Sequence, residues 1–292
     1  MIPEYSNERP LVSFDWAIKR LLRNKTNYEV VEGFLSELLK QSLKITNILE
    51  SESNREDPDD KSNRVDITVE DTAGEIILIE LQFLPQADYF HRMLYGASKT
   101  IADHIFRGER YIKVRKVYSI NIVYFDLGQG TDYVYHGKTS FKGLHHRDIL
   151  KLSAKQRKTL GEIEAGNIFP EYYVLKINNF DDVAKNTLDE WIYFLKHDRI
   201  KDEFKAKGLL KAREVMDYYS LPPKEKANYD YEQDMKSRRL SEIATAKEEG
   251  ILETEEKYAK VITEKDRTIE EKDKAIEEKD RELAELRRLL NR

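Results

Sequence analysis

The sequence predicts an α/β fold with a central mixed sheet flanked by helices, followed by a helical C-terminal region and a long terminal helix. Strand and helix patterns are mixed throughout the first 200 residues, which is typical of a layered α/β domain. Strand patterns end at about Asp202, and a seven-residue repeat follows near the C-terminus. We therefore expect an α/β domain at 1–200, a helical extension at 201–249 and a charged heptad-repeat helix at 250–292.

The composition restricts the classes of protein to consider. The chain of 292 residues has no cysteine, which excludes disulfides and thiolate metal sites. Its first residues, MIPEYSNERPLVSF, lack a basic segment followed by an apolar one, and the apolar runs are too short to cross a bilayer. From these features we expect a cytoplasmic protein without a membrane segment.

The first elements are two short helices. Ser13 or Asp15 can cap the first, DWAIKRLL, and Asn27 can cap the second. Residues 50–62 are acidic, lack apolar side chains and contain a proline, so they predict a loop. The second helix carries an apolar face formed by Val30, Val31, Phe34, Leu35, Leu38 and Leu39.

A β-hairpin follows in the segment RVDITVEDTAGEIILIELQF, residues 64–83. Apolar and polar residues alternate at 65–70, residues 71–74 form a turn, and Gly74 is free to adopt a positive φ angle. The second strand, from Ile76 to Phe83, is almost continuously apolar, which indicates a central strand covered on both faces.

The pattern continues with a helix at about 86–107, a buried strand at 117–125, an edge strand at 131–136 and a last strand at 171–177. Asp181 or Asp182 is expected to begin the next helix. Two further helices, at 203–219 and 222–248, are separated by Pro222 and Pro223.

The C-terminal repeat consists of EKDRTIE, EKDKAIE and EKDRELA. Apolar residues recur every seven positions, which favours a coiled coil that would make the protein a homo-oligomer. At the neighbouring core position of the heptad, three successive repeats have lysine and only the next one has leucine. A single charged helix is therefore the alternative. The stripe comprises Ile262, Ile269, Ile276, Leu283 and Leu290, and the lysines are Lys265, Lys272 and Lys279.

Two carboxylates lie in the predicted hairpin, although buried charge is costly in a strand. Glu80 and Gln82 share one face, and Asp66 on the partner strand pairs with residue 79 or 80. Two carboxylates at cross-strand distance repel each other, and a divalent cation between them removes the repulsion. Oxygen ligands of this kind suit Mg²⁺, so we expect a Mg²⁺ site at Asp66 and Glu80, with other divalent cations as alternatives.

An aspartate, a hairpin and a Glu-x-Lys triplet form the signature of the PD-(D/E)XK nuclease superfamily, which Asp66 and Glu80-Leu81-Gln82 resemble. The surrounding sequence resembles the recombination-promoting nuclease/putative transposase family of that superfamily over residues 10–255. The resemblance is carried by FDWAIKRLL, HRMLYGASKTIADHIFRGERYIKVRKVYSINIVYF, LDEWIYFLKH and YEQDMKSRRLSEIATAKEEGILE.

This resemblance implies a restriction-endonuclease-like core at 1–200, Mg²⁺-dependent cleavage of DNA, and a link to recombination or mobile elements. It implies that Asp66, Glu80 and Gln82 are catalytic and that Asp66 and Glu80 bind the metal. Gln82 replaces the lysine of the superfamily, and Val65 replaces the proline before the aspartate. Without the lysine, a catalytically weak or inactive nuclease fold that binds DNA or protein is the alternative function.

Basic residues cluster after the central strand, where residues 104–160 hold twelve Lys and Arg against four Asp and Glu. A cluster interleaved with tyrosines is typical of a DNA backbone contact, and a solvated surface with balanced charges is the alternative. The expected DNA-binding residues are Arg92, Lys99, Arg107, Arg110 and Lys113.

The two early helices also carry charged residues that can join such a site. In nucleases of this superfamily a helix acid can add a metal contact, but the spacing selects none of these residues. Asp15 has a simpler role as a helix cap, and two glutamates flank the apolar face of their helix. The candidates are Asp15, Lys19, Glu32 and Glu37.

Overall fold

A computed structural model of the chain describes residues 11–23, 28–49, 67–161 and 164–290. The helices and strands are α1 (Phe14–Arg23), α2 (Tyr28–Leu39), β1 (Ile45–Leu49), β2 (Ile67–Asp71), β3 (Ile76–Gln82), α3 (Tyr89–Asp103), β4 (Val117–Val123), β5 (Val134–Gly137), α4 (Ala154–Leu160), β6 (Glu171–Lys176), α5 (Thr187–His197), α6 (Leu209–Val215) and α7 (Pro223–Leu290).

The six strands form one mixed sheet in the order β1-β2-β3-β4-β6-β5. β3, β4 and β6 are parallel to one another, whereas β1, β2 and β5 join by antiparallel pairing. We call the end at which β3, β4 and β6 finish the carboxyl edge, and the end at which they begin the amino edge. The predicted α/β fold with a mixed, helix-flanked sheet is confirmed.

The predicted hairpin is formed by β2 and β3. Asp71 closes its turn, because its Oδ1 accepts hydrogen bonds from the backbone N–H groups of Ala73 at 2.9 Å and Glu75 at 2.8 Å. Gly74 has a φ angle of 79°, a conformation that glycine adopts without strain. This turn fixes the register in which Ile67 pairs with Ile79.

Both faces of β3 are covered, as its continuous apolar sequence predicts. Ile77 and Ile79 face the main core, which includes Phe34 of α2 and Trp191 of α5. On the opposite face, Ile76 and Leu78 pack with Ala97 of α3. The sheet is therefore enclosed between two helical layers, and β3 lies inside it.

Several helix boundaries differ from the sequence-based expectations. The helix expected at 86–107 covers only Tyr89–Asp103, and the one expected at 203–219 covers only Leu209–Val215. α5 begins after Asn186 and not at Asp181 or Asp182, because the Asn186 side chain accepts hydrogen bonds from the N–H groups of residues 188 and 189. The cap formed by Asn186 therefore sets the start of the helix, and the two aspartates lie before it.

The core of the α/β unit extends past residue 200. Leu209, Met216 and Leu221 are buried in the main core. Gly33 of α2 lies so close to the backbone of Lys207 that no Cβ atom fits between them. Residues 201–221 therefore pack as part of the sheet-containing unit.

The chain divides into two compact units, Met1–Tyr229 and Asp230–Arg292. The second unit is helical, since α7 runs without interruption from Pro223 to Leu290. Pro223 begins this helix, a position where its missing N–H costs nothing. Ile262, Ile269 and Ile276 are each 56 % exposed on its surface. Among the described helices, none has both the length and the apolar character of a membrane span.

Candidate active site

Glu80 and Gln82 lie near the carboxyl edge, on the last residues of β3. They share the sheet face of Leu78, which packs against α3. In the parallel pairing with β4, Glu80 is opposite Asn121 and Gln82 is opposite Val123. The sequence-based prediction that Glu80 and Gln82 share a face of a central strand agrees with this arrangement.

Asp66, the third residue of the predicted site, lies outside the described residues. The hairpin register nevertheless pairs Ile67 with Ile79. This is the alignment on which the expectation of Asp66 beside Glu80 was based.

The carboxylate of Glu80 forms an ion pair with the guanidinium of Arg92, which lies in the first turn of α3. The Glu80 side chain is only 7 % exposed and that of Arg92 is 25 % exposed, so little water screens the pair. Arg92 also donates a hydrogen bond from Nη1 to Oε1 of Gln86 at 3.1 Å. Arg92, expected to contact DNA, therefore compensates the charge of the central carboxylate.

Gln82 is half-buried, and its amide fixes the turn after β3. Its Nε2 donates to the backbone oxygen of Leu84 at 3.0 Å. The next residue, Phe83, stacks on Tyr124 with ring centroids 4.2 Å apart. The end of β3 is thus held to the end of β4 by aromatic packing as well as by backbone pairing.

A buried polar network on β4 adjoins Glu80, and sequence reasoning missed it. Asn121, 1 % exposed, accepts a hydrogen bond from the hydroxyl of Tyr89 at 3.3 Å and donates to Oγ of Ser119 at 3.0 Å and to the oxygen of Tyr173 at 3.2 Å. The signal was present in VYSINIVYF, where two polar residues two positions apart share one face of a buried strand. This network holds α3 and β6 against β4 next to Glu80.

Lys176 is a second buried charge on the same face of the sheet, at the end of β6. Only 2 % of its side chain is exposed, and its Nζ contacts Oδ1 of Asp126 at 3.0 Å and the backbone oxygen of Gly128 at 3.2 Å. Lys176 pairs with Val123 of β4, which in turn pairs with Gln82 of β3. Lys176 anchors the loop after β4 at the carboxyl edge.

The early-helix acids have separate structural roles where their side chains are described. Glu32 accepts hydrogen bonds from the backbone N–H of Ile45 at 2.9 Å and from Nζ of Lys44 at 2.7 Å. Glu37 accepts one from the hydroxyl of Thr187 at 2.5 Å.

Asp15 lies near the phenol of Tyr124. Burial raises the pKa of Tyr124 well above its usual value, and the charge of Asp15 adds to this effect. Asp15 is thus near the end of β4, whereas the side chain of Lys19 lies outside the described part of the chain.

The expected DNA-binding residues are not all in one place. Lys99 is half-buried on α3, whereas Arg107, Arg110 and Lys113 are exposed in the connection between α3 and β4. Because β3 and β4 are parallel, this connection returns to the amino edge. Arg92 is thus the residue of the expected set that pairs with Glu80, and the three residues of this connection precede β4.

The donors at the carboxyl edge are chemically suited to a hard divalent cation. The carboxylate of Glu80 and the amide oxygen of Gln82 are oxygen donors on one strand face. Within the described ranges, no group of three or more His, Asp or Glu side chains is placed to hold a metal ion. A complete set of ligands at Glu80 thus requires a further group, and Asp66 is the predicted one.

The comparisons with known proteins agree with this arrangement. The family model described as PD-(D/E)XK nuclease family transposase matches residues 12–247. The match covers both the strand that carries Glu80 and the helix that carries Arg92. No curated protein and no solved structure matches the chain. Because the family model covers more than half of the sequence, the chain belongs to the PD-(D/E)XK nuclease family transposases.

Proposed function

We propose that this protein is a Mg²⁺-dependent DNA endonuclease that hydrolyses phosphodiester bonds. Nucleases of the superfamily act on DNA and generally use divalent metals, which supports the substrate and the type of cofactor. The observation that carries the proposal is the buried carboxylate of Glu80 at the carboxyl edge, beside the first turn of α3. Arg92 balances the charge of Glu80, and a largely buried carboxylate with a charged partner in such a place is a candidate for a functional site.

Asp66 and Glu80 are the proposed ligands of the metal. When bound, the cation neutralises charge on the scissile phosphate and lowers the pKa of a water molecule. Gln82 orients that water or hydrogen-bonds the phosphate, but it cannot serve as a cationic group. Water attacks phosphorus directly, without a covalent enzyme intermediate. The bond between phosphorus and one sugar oxygen breaks, and that oxygen takes up a proton and leaves as a hydroxyl group.

Arg92 has two states in this proposal. Without a metal it neutralises Glu80, as the ion pair indicates. With the metal bound, its guanidinium is free to turn toward the phosphate of the DNA, since arginine binds phosphate oxygens in a bidentate manner. In this proposal Arg92 therefore contacts DNA, as expected from the sequence, when the metal is bound.

The second unit supplies a means of association. Exposed isoleucines at intervals of seven residues on α7 support a coiled coil that pairs two copies, so that two sites can cut two strands. A cytoplasmic location and a role in recombination or mobile-element biology complete the proposal.

A plasmid-nicking assay tests the proposed chemistry. Wild-type protein is expected to nick supercoiled DNA in Mg²⁺ and to lose this activity in EDTA. Asp66→Ala and Glu80→Ala should be inactive while still binding DNA. Equal nicking by wild type and Asp66→Ala would assign the activity to a contaminating nuclease and reject the proposal.

An inactive nuclease fold that binds DNA or a protein partner is the second candidate. Gln82 in place of lysine and the ion pair that engages Glu80 favour it. It predicts no Mg²⁺-dependent nicking by any variant, together with DNA binding that EDTA leaves unchanged.

A further inference from the structure

Two basic connections meet at the amino edge of the sheet. Residues 104–116 lead into β4, and residues 138–160 lie in the insertion between β5 and β6. The connection before β4 contacts the segment that leads from the insertion into β6, because Tyr118 pairs with Glu171, and Nζ of Lys116 contacts Oε1 of Glu171 and the backbone oxygen of Asn167, each at 2.8 Å. We call these two connections together the basic surface.

The basic surface is strongly positive. It contains twelve Lys and Arg against two acids, Glu109 and Asp148, whereas the other two acids of the 104–160 region, Asp126 and Asp132, follow β4. Arg115 pairs with Glu70 and Lys116 with Glu171, but the others are exposed and form no ion pair with any described residue. These are Arg107, Arg110, Lys113, Lys138, Lys142, Arg147, Lys151, Lys155, Arg157 and Lys158. Exposed, uncompensated cations at this density attract a polyanion.

Exposed aromatic rings lie among these charges. Phe106 is 74 % exposed and Tyr111 is 88 % exposed, and both alternate with Arg107, Arg110 and Lys113. Aromatic rings stack on unpaired bases, and cations between them follow the phosphates of a single strand. A duplex keeps the faces of its bases stacked inside, so it cannot use these rings in the same way.

The insertion is folded, which fixes the positions of its charges. The N–H of Leu150 donates to the oxygen of Phe141 at 2.9 Å, and that of Gly143 donates to the oxygen of Asp148 at 2.8 Å. Ser153 and Gln156 form a reciprocal cap at the start of α4. The lysines are therefore presented by a folded loop that starts at the amino edge, where Gly137 pairs with Tyr172 near the start of β6.

The basic surface is separate from Glu80. Glu80 pairs with Asn121, and β4 begins four residues earlier at Val117, a distance of about 13 Å along the strand. The rings of Phe106 and Tyr111 lie in the connection before β4, beyond that point. A phosphate at Glu80 and a base on Tyr111 thus occupy different positions on the protein.

We propose that the basic surface at the amino edge binds single-stranded DNA, at a site distinct from Glu80. The choice of DNA over another polyanion rests on the proposed function, but the binding itself does not depend on catalysis. A nuclease with such a surface can hold an unpaired segment or a released strand while Glu80 engages another part of the DNA.

Fluorescence anisotropy of full-length protein with labelled oligothymidylate in EDTA tests the proposal without cleavage. The double variant Phe106→Ala/Tyr111→Ala should bind about 10- to 100-fold more weakly, the effect of losing one or two stacked bases. Tyr219→Ala/Tyr231→Ala is the matched control, because these rings are 63 % and 64 % exposed but lie outside the basic surface. It should bind like wild type.

A second variant tests the charges. Lys142→Ala/Arg147→Ala/Lys151→Ala should lower the slope of log affinity against log salt by about 2, as expected for three lost phosphate contacts on a single strand. Arg92→Ala, which removes the cation that pairs with Glu80, should weaken oligothymidylate binding less than this triple variant does. That difference would separate the basic surface from the active site.

Several outcomes would overturn the proposal. Unchanged oligothymidylate affinity in both variants would remove the basic surface from binding. Tighter binding of a duplex, or of oligouridylate or polyglutamate, would identify a different polyanion as its ligand. Failure of the nicking assay alone would reject the endonuclease but leave the anisotropy result intact, since binding is measured without Mg²⁺.

Discussion

Arg92 in the first turn of α3 and Glu80 near the end of β3 form a largely buried ion pair. The pair joins the helix to the central strand where the proposed site lies. It also means that the charge of Glu80 is balanced by protein before any metal binds. A cation that binds Glu80 must therefore replace or share the guanidinium.

Replacement of Arg92 by alanine should reveal this competition. Breaking a buried ion pair from one side costs about 3–5 kcal/mol, and we expect a loss near 3 kcal/mol because Arg92 is partly exposed. A divalent cation should restore part of that loss by taking over the charge of Glu80. Thermal unfolding is therefore expected to show a larger Mg²⁺-dependent rise in Tm for Arg92→Ala than for wild type.

The matched control is Glu80→Gln/Arg92→Ala, in which both charges are removed. Its Tm should lie above that of Arg92→Ala without metal and should not respond to Mg²⁺. A Mg²⁺ response of equal size in the double variant would place the cation elsewhere.

Gly33 tests whether residues 201–221 belong to the core. A Cβ atom at this position would meet the backbone oxygen of Lys207, which cannot move aside as a side chain can. Gly33→Ala should lower the free energy of unfolding by about 1–3 kcal/mol, the usual effect of overpacking. Urea denaturation of the full-length protein measures this effect.

Gly250→Ala is the matched control, because nothing lies within 4 Å of its Cβ position in α7. Alanine has the higher helix propensity, so this change should stabilise α7 slightly. Equal stability of Gly33→Ala and wild type would contradict the close packing of α2 against residue 207.

Glu171 makes stability depend on pH. Burial raises the pKa of Glu171, but hydrogen bonds from Lys116 and His136 outweigh it and hold the pKa below its ordinary value of 4.5. A lowered pKa in the folded state stabilises the protein fully above pH 4.5, and the contribution is lost as the pH falls through the folded value. Glu171→Gln should thus cost about 1.5–3 kcal/mol near neutral pH and progressively less in acid.

Denaturant unfolding near neutral pH and in acid measures this difference. Glu214→Gln removes a pair with Lys211 in which the glutamate is 70 % exposed, and it should cost less than about 1 kcal/mol. If the loss of unfolding free energy in Glu171→Gln stayed constant down to strongly acidic pH, the charge of Glu171 would not be its cause.

The apolar stripe on α7 predicts association. Ile269→Lys/Ile276→Lys places charges in a coiled-coil core and should convert an oligomer into a monomer in light scattering. Glu264→Lys lies on the same helix but off the stripe, so its mass should match that of wild type. A monomeric wild type would leave α7 as a single charged helix.

Much of the fold follows from local patterns. The alternation at 65–70 and the apolar run from Ile76 to Phe83 predict two strands, because both patterns depend on residues close in sequence. The structure has these strands at Ile67–Asp71 and Ile76–Gln82. The start of α5 could not be placed in advance, since Asn186 competes as a cap with Asp181 and Asp182. The packing of Met216 against distant core residues also has no local signal.

The site was predictable in its strand residues and not in its tertiary contacts. Glu80 stands out because a charge follows a buried apolar run. That Arg92 turns inward to Glu80 depends on the orientation of α3 over the sheet. The division of the basic residues between the two edges also depends on tertiary structure. Because β3 and β4 are parallel, the chain between them starts at the carboxyl edge and ends at the amino edge.

A crystal structure of the full-length protein with Mn²⁺, read by anomalous scattering, examines the proposed site directly. We expect one anomalous peak within coordination distance of the carboxylates of both Glu80 and Asp66, with the Arg92 guanidinium moved away from Glu80. A protein that binds no Mn²⁺ at Glu80, or in which Asp66 faces the opposite side of the sheet, would contradict a hydrolytic metal site in this chain.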